Sequence, residues 1–229
     1  KTTVMSSDEA LIIEKAPKSL AIVGAGAVGC EFADVFSAFG TKVTIIEVAP
    51  RILPLEDEDS SSEVQRSFKK RGMEIFTGAK LSAAKIGKDS VTLTVEMGST
   101  KQDVVVERVL VAAGRAANIE GIGLKEAGVA MTDRGFIKIN ERMETSTKGV
   151  YAIGDVVAGT PQLAHVATAE GMIAVAAVAD KKFTPINRNR IPGATYTEPG
   201  IGSVGLTAAQ AKQQGFDVKV GKVPFAGNS

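Results

Sequence analysis

Three glycines and one acid carry the clearest chemistry in this sequence. Gly24, Gly26 and Gly29 stand at G-x-G-x-x-G spacing directly after the apolar run Leu20 to Val23, and Glu47 follows a second apolar run, Val43 to Ile46. A tight turn at Gly24, no side chain at Gly26 and a close helix–strand contact at Gly29 bring backbone N–H groups up to a pyrophosphate. The helix that starts there adds the partial positive charge of its N-terminus. An acid about 20 residues beyond such glycines takes ribose hydroxyls and repels a 2′-phosphate, which favours NAD over NADP. The spacing alone would be weak evidence in a chain with 24 glycines. The order strand, turn, helix, strand, acid makes the dinucleotide reading specific.

Hydrophobic periodicity predicts the elements that position these groups. Val28, Phe32, Val35, Phe36 and Phe39 recur every three or four residues, which predicts a helix with one buried stripe, stopped at Gly40. The continuous β-branched run Val43 to Ile46 suits a strand covered on both faces of a parallel sheet. Lys1 to Ser19 reads as a polar lead-in, and the prolines within Ala49 to Leu55 mark a loop. Glu56, Asp57, Glu58 and Asp59 resemble metal ligands in type only. They open a stretch that ends in Lys69, Lys70, Arg71 and Gly72, so they complement a helix dipole, and no metal site is expected.

Met73 to Phe76 is a further strand by pattern, followed by three more around Lys80 to Ile86, Ser90 to Glu96 and Asp103 to Val106. These form an antiparallel meander inserted into a doubly wound α/β unit. Arg108 to Ala113 reads as a parallel strand closed by Gly114, at the end where open α/β sheets bind ligands. Asn118 to Asn140 is loop-rich with a hairpin over Thr132 to Ile139, and Val150 to Ile153 reads as a strand entering Gly154 and Asp155. The Ala-rich run Leu163 to Ala179 is helical, with the single histidine, His165, in its first turn. On its own such a histidine reads as structural or solvent-facing. Pro185 to Pro192 is a connector. Strands near Ala194 to Thr197 and Ser203 to Gly205, a helix over Ala208 to Gln214 and a strand over Val218 to Val223 complete the pattern.

The 229 residues are 44% hydrophobic and 23% charged with a net charge of +1, so neither nucleic acid nor a membrane surface is an expected partner. The first residue is Lys1, without a signal-peptide pattern, which reads as a processed or cut piece of a longer chain. One cysteine, Cys30, excludes an intrachain disulfide and points to a reducing compartment. Its place in the first turn of the glycine-loop helix could lower its pKa, but packing is the favoured role.

Five stretches together resemble the flavin-dependent class I pyridine nucleotide-disulfide oxidoreductases, and among them the dihydrolipoamide dehydrogenases. They are VGAGAVGCEFA from Val23, VAAGRAAN from Val111, YAIGDVVAGTPQLAH from Tyr151, YTEPGIGSVGLT from Tyr196 and the terminal VGKVPFAGNS. The resemblance implies a Rossmann-like α/β fold with a parallel sheet and a meander. Residues 1–18 would lead in from a flavin domain, 19–142 would be the NAD-binding domain, 143–190 part of the flavin domain and 191–229 the start of a dimerisation domain.

It implies that Gly24, Ala25, Gly26, Ala27, Val28, Gly29, Cys30 and Glu31 wrap the NAD pyrophosphate, with Glu31 also near the nicotinamide and paired with a flavin-domain lysine. Glu47 would take the adenosine ribose, and Leu81 and Gly114 would approach the cofactor. With the missing flavin domain supplied, Asp155 would bind the FAD ribityl or phosphate region, and Gln162, Leu163, Ala164 and His165 would lie against the isoalloxazine, which gives His165 a flavin-site role. Partners implied are a lipoamide-bearing 2-oxo acid dehydrogenase complex and a second subunit in a homodimer, in the cytoplasm or a mitochondrial matrix. The family's first glycine fingerprint, its C-x-x-x-x-C redox pair and its His–Glu pair have no counterpart in this sequence, so no catalytic residue is assigned. Ala117 stands where Pro is common, and Gly200 where an acid is common. Alternatives are a catalytically silent NAD-binding module and the same portion of a mercuric or glutathione reductase or a soluble transhydrogenase.

Overall fold

Side-chain alternation along the central strands sets the layers of the first of two units in the computed structural model, which describes residues 3–225. In β2 (Ser19–Val23) and β3 (Lys42–Ile46), Leu20, Ile22, Val43 and Ile45 join one fully buried cluster while Ala21 and Ile46 join another. A strand presents successive residues to opposite faces, so a sheet covered on both sides needs this unbroken apolar sequence.

The first cluster lies under the helices α2 (Ala27–Ala38) and α3 (Glu58–Lys70), together with residues of α1 (Ser7–Leu11). The second lies under the meander of β5 (Lys80–Ile86), β6 (Val91–Met97) and β7 (Thr100–Val106). Fully buried Phe68 anchors α3, and its replacement by Ala would cost about 3–5 kcal/mol.

The main sheet is parallel, in the order β1 (Val4–Met5), β8 (Arg108–Val111), β2, β3, β4 (Glu74–Phe76). Chain order runs outward from β2 to β3 and β4 through helices, then returns through the meander to β8 on the other side of β2. That reversal opens a crevice at the carboxyl end of β2, where the glycines lie. The supposed lead-in therefore contains ordered elements: β1 pairs with β8, and the Ser6–Glu9 capping box starts α1.

The face of α2 differs from the predicted stripe. Gly29, Cys30, Ala33 and Phe36 are buried and Phe32 is partly so, whereas Val35 and Phe39 are exposed. Small residues face the sheet because the helix lies too close for large ones at that end. The α3 pattern matches expectation: the Asp57 side chain accepts from the Asp59 N–H, Glu58 and Asp59 occupy the first turn, and Lys69 and Lys70 the last.

The chain divides into Lys1–Gly114 with Pro192–Ser229, and Arg115–Ile191. In the first unit β9 (Pro192–Thr195) pairs antiparallel with β10 (Ile201–Val204), and α5 (Ala208–Gln213) starts at a Thr207–Gln210 capping box. The expected strand over Val218 to Val223 does not form. The tail of the last motif, 226–229, lies outside the described residues, as do Lys1 and Thr2.

The second unit holds Val129, Ile137, Ala152 and Val157 in its own core and one long helix, α4 (Ala164–Val178). Val150 to Ile153 is not a strand. It contributes one antiparallel bridge, Glu144 to Tyr151, and the hairpin around Gly135 is likewise one bridge, Met131 to Ile137.

Candidate functional site

The glycine loop is ordered from all sides by backbone bonds. The Gly24 N–H donates to the Ile46 carbonyl at 2.9 Å, the Ala112 N–H to the Val23 carbonyl at 2.8 Å, and the Leu53 N–H to the Ala25 carbonyl at 2.7 Å. Gly24 has φ +103°, and a Cβ there would stand 2.5 Å from the Ala112 carbonyl oxygen. At Gly29 a Cβ would stand 2.0 Å from the Gly24 carbonyl oxygen. Both positions therefore exclude any side chain for reasons internal to the fold. Gly26 is different: a Cβ there meets nothing within 4 Å. The open space beside its backbone is what close approach of a ligand requires.

The Cys30 N–H makes the bond to the Gly26 carbonyl, at 3.0 Å, so the N–H groups of Ala27, Val28 and Gly29 precede the helical ladder and no side chain caps them. They stand next to Gly26 at the positive end of a 12-residue helix.

Glu47 closes the crevice. It is buried; its Oε2 accepts from the Ala25 N–H at 2.6 Å and its Oε1 from the Ala49 N–H at 2.7 Å. A carboxylate offers about four lone-pair sites, so these two bonds leave acceptor capacity for further donors. The Glu47 carbonyl accepts from the Ala79 N–H at 2.9 Å, which ties the start of the meander to the end of β3. Leu81, two residues on, is partly buried against the second core cluster, opposite Val95. Gly114 has φ +122° and follows the Ala112–Ala113 pair that abuts Gly24.

Cys30 is fully buried, and its Sγ donates to the Ala25 carbonyl at 3.4 Å. Burial pushes the thiol up from 9.0 to about 12, with the negative charges of Glu47 and Glu31 adding to the rise. The helix N-terminus does not produce a reactive thiolate here, because desolvation outweighs it. The neighbouring Glu31 points to the other side of α2, where its Oε1 accepts from the Tyr196 N–H at 2.9 Å. Asp34, one turn on, accepts from Arg71 and from the Glu198 N–H. The segment after β9 is thereby fixed to α2.

The second unit gathers the remaining candidates. Gly154 has φ +73° and opens a 3-10 turn, Gly154–Val156, that presents the half-exposed Asp155 carboxylate, 3.2 Å from Arg115. The Gln162 Nε2 donates to the Asp155 carbonyl at 3.1 Å, which folds the 162–165 segment back on that turn. Leu163 is the N-cap of α4 and cannot cap with its side chain; Ala164 and His165 are exposed at the helix start. Glu170, which sequence reasoning missed, is 1% exposed and holds the same turn from within the unit. A lone acid inside an Ala-rich helical pattern was its only signal. The candidate residues thus form two clusters, Gly24 to Cys30 with Glu47 and Gly114, and Asp155 with 162–165, while the Glu31 carboxylate turns away from the first to Tyr196. Among the described residues no group of three or more His, Cys, Asp or Glu could hold a metal ion. No described helix is long and apolar enough to cross a membrane.

Residues 1–171 fit the model of pyridine nucleotide-disulphide oxidoreductases, and 191–229 that of the family's dimerisation domain. A dihydrolipoyl dehydrogenase of Mycobacterium tuberculosis is 43% identical over 227 residues, covering 99% of this chain and 49% of the relative. One from Bacillus subtilis is 44% identical over 225 residues, covering 97% of this chain and 47% of its own. The chain thus spans about half the length of the curated relatives it matches.

Among solved structures, the HOCl-induced flavoprotein disulfide reductase RclA of Escherichia coli superposes with a TM-score of 0.87 at 27% identity, over 98% of this chain and 51% of that one. LpdA from Mycobacterium tuberculosis gives 0.84 at 25% identity, over 93% and 46%. The parallel sheet with its inserted meander, the glycine loop and these matches together establish that the chain belongs to the pyridine nucleotide-disulphide oxidoreductase family.

Proposed function

We propose that this chain is the NAD-binding portion of a flavin-dependent dihydrolipoamide dehydrogenase. The carrying observation is the open space at Gly26 before the uncapped start of α2, with the Glu47 carboxylate fixed beside it. In this reading Gly24 to Glu31 hold the pyrophosphate, Glu47 the adenosine ribose, and Leu81 and Gly114 flank the dinucleotide. Asp155 and 162–165 face FAD, and the exposed start of α4 favours negative charge next to it. The partition follows the same reading: a nucleotide domain over 19–142, a flavin-domain portion over 143–190 and a dimerisation portion from 191. When bound, the two cofactors supply hydride transfer linked to a dithiol. The chain's own groups bind, orient and exclude the 2′-phosphate; no catalytic residue is assigned within it. The complete enzyme would be a homodimer serving a lipoamide-bearing 2-oxo acid dehydrogenase complex, in the cytoplasm or a mitochondrial matrix.

A second reading, a catalytically silent NAD-binding module, rests on Cys30. It is the single cysteine of the sequence, buried and with its thiol pushed up to about 12, so these residues hold no dithiol. Three measurements separate the readings: NADH binding, flavin absorbance near about 450 nm and NADH-linked lipoamide reduction. All three support the enzyme. NADH binding without the others supports the module, and absence of NADH binding contradicts both. A mercuric or glutathione reductase or a transhydrogenase shares these nucleotide motifs; preference for NADPH over NADH would favour the NADP-dependent members.

A further inference from the structure

Glu170 is the one acid among the described residues that is essentially sealed from solvent, at 1% exposure, and it lies on α4 among alanines and valines. A carboxylate in such a place must have its oxygens satisfied, since burying it unpaired costs far more than burying an apolar side chain of its size. Oε2 accepts from the Gly154 N–H at 2.7 Å and Oε1 from the Thr160 hydroxyl at 3.0 Å. One side chain therefore binds both ends of the 154–160 loop.

That loop carries Asp155. Gly154 is in a left-handed conformation at φ +73°, where a Cβ would lie 3.2 Å from the Ala167 Cβ, so the turn is pressed onto α4. The Val157 N–H closes it onto the Gly154 carbonyl at 2.9 Å. The Arg188 guanidinium holds the Gly159 carbonyl at 2.5 Å, and the Gln162 Nε2 holds that of Asp155. The Asp155 carboxylate itself is left half-exposed, paired with Arg115. From the buried side, the Gly154 N–H and the Thr160 hydroxyl both donate to Glu170.

We propose that Glu170 is a positioning residue for the flavin contact: by clamping Gly154 and Thr160 it sets the direction in which Asp155 faces the FAD ribityl or phosphate groups. This rests on the flavin-side reading given above. A carboxylate has acceptors only, matching an amide and a hydroxyl that both donate. Glutamine can stand in, because its oxygen can keep Gly154 while its nitrogen donates to a Thr160 hydroxyl that has turned to accept. Leucine fills the volume but leaves the Gly154 N–H buried without a partner.

The experiment compares the wild-type chain with Glu170→Leu, Glu170→Gln and Thr160→Val. With the missing flavin-domain portion supplied to each, it measures Gly154 amide exchange by NMR, the apparent Kd for FAD from flavin fluorescence, and NADH binding as a control in the other unit. Expected for Glu170→Leu are at least about tenfold faster Gly154 exchange and about tenfold weaker FAD binding, with NADH binding kept. Glu170→Gln should restore both to within about threefold of wild type, and Thr160→Val, which removes one contact and no charge, should fall between. Unchanged exchange in Glu170→Leu overturns the clamp. Faster exchange with unchanged FAD affinity overturns the positioning role and leaves a structural one. If the wild type completed with its flavin-domain portion shows no FAD affinity, the flavin-side reading fails and this role with it, a result recognisable because the exchange difference persists.

Discussion

The Glu47 Oε2 accepts a hydrogen bond from the Ala25 N–H at 2.6 Å, joining the acid at the end of β3 to the middle of the glycine loop. The acid proposed to bind the ribose is therefore also the residue that orders the loop, and the two roles can be separated. Glu47→Gln keeps an acceptor for Ala25 but loses the charge. Glu47→Arg loses both and places a cation in a buried position. We expect Glu47→Arg to weaken NADH binding by about 1–3 kcal/mol and to lower unfolding stability by a comparable amount. Glu47→Gln should lose about half as much in each. Urea denaturation beside an NADH titration measures both, and an unchanged pair of values would show the acid to be a surface group.

The buried Cys30 thiol gives a pH dependence whose sign is fixed. Its native pKa stands at about 12 against 9.0 when exposed. Below pH 9 both native and unfolded thiols are protonated, and Cys30 contributes no pH dependence. Between the two values the unfolded thiol ionises while the native one does not, so native stability falls as pH rises. Urea midpoints from pH 8 to 11 should drop more steeply for the wild type than for Cys30→Ala, and a disulfide reagent at pH 8 should modify Cys30 only once the chain unfolds. Parallel pH curves for the two proteins would show that the thiol is not buried in solution.

Asp34 ties α2 to both Arg71 and the Glu198 N–H, with its side chain 19% exposed and that of Arg71 28%. Asp34→Ala should cost about 1–3 kcal/mol in urea unfolding, because two donors lose a charged acceptor. Glu63→Ala removes the Arg66 pair, whose side chains are 53% and 77% exposed and screened by solvent, and should leave the urea midpoint at the wild-type value. Equal effects of the two substitutions would contradict the contrast.

Much of this arrangement was legible in the sequence because it rests on local periodicity. The strands at Leu20 and Val43, the helix after the glycines, the α3 termini and the three meander strands all follow from patterns within a dozen residues. The misses depend on distant partners. Val4–Met5 is too short to announce itself and becomes a strand only because Val109 and Leu110 lie beside it. Val150 to Ile153 has β-branched composition but pairs only at Tyr151, and Val218 to Val223 forms no strand. On α2, size dictated the buried face: Gly29 and Ala33 lie inside where Val35 and Phe39 do not. Glu47 was recognisable as an acid at the right distance. That its oxygens hold Ala25 and Ala49, and that Glu170 holds Gly154, required the fold.

The central claim, that the glycine loop of this chain binds NAD, is tested most directly by NADH affinity in Gly26→Ala beside Gly29→Ala. A Cβ at Gly26 meets nothing within 4 Å, whereas one at Gly29 falls 2.0 Å from the Gly24 carbonyl oxygen. Gly26→Ala should therefore leave the urea midpoint near wild type while weakening NADH binding at least about tenfold, and Gly29→Ala should lower the midpoint itself. Wild-type NADH affinity in a folded Gly26→Ala protein would contradict the claim.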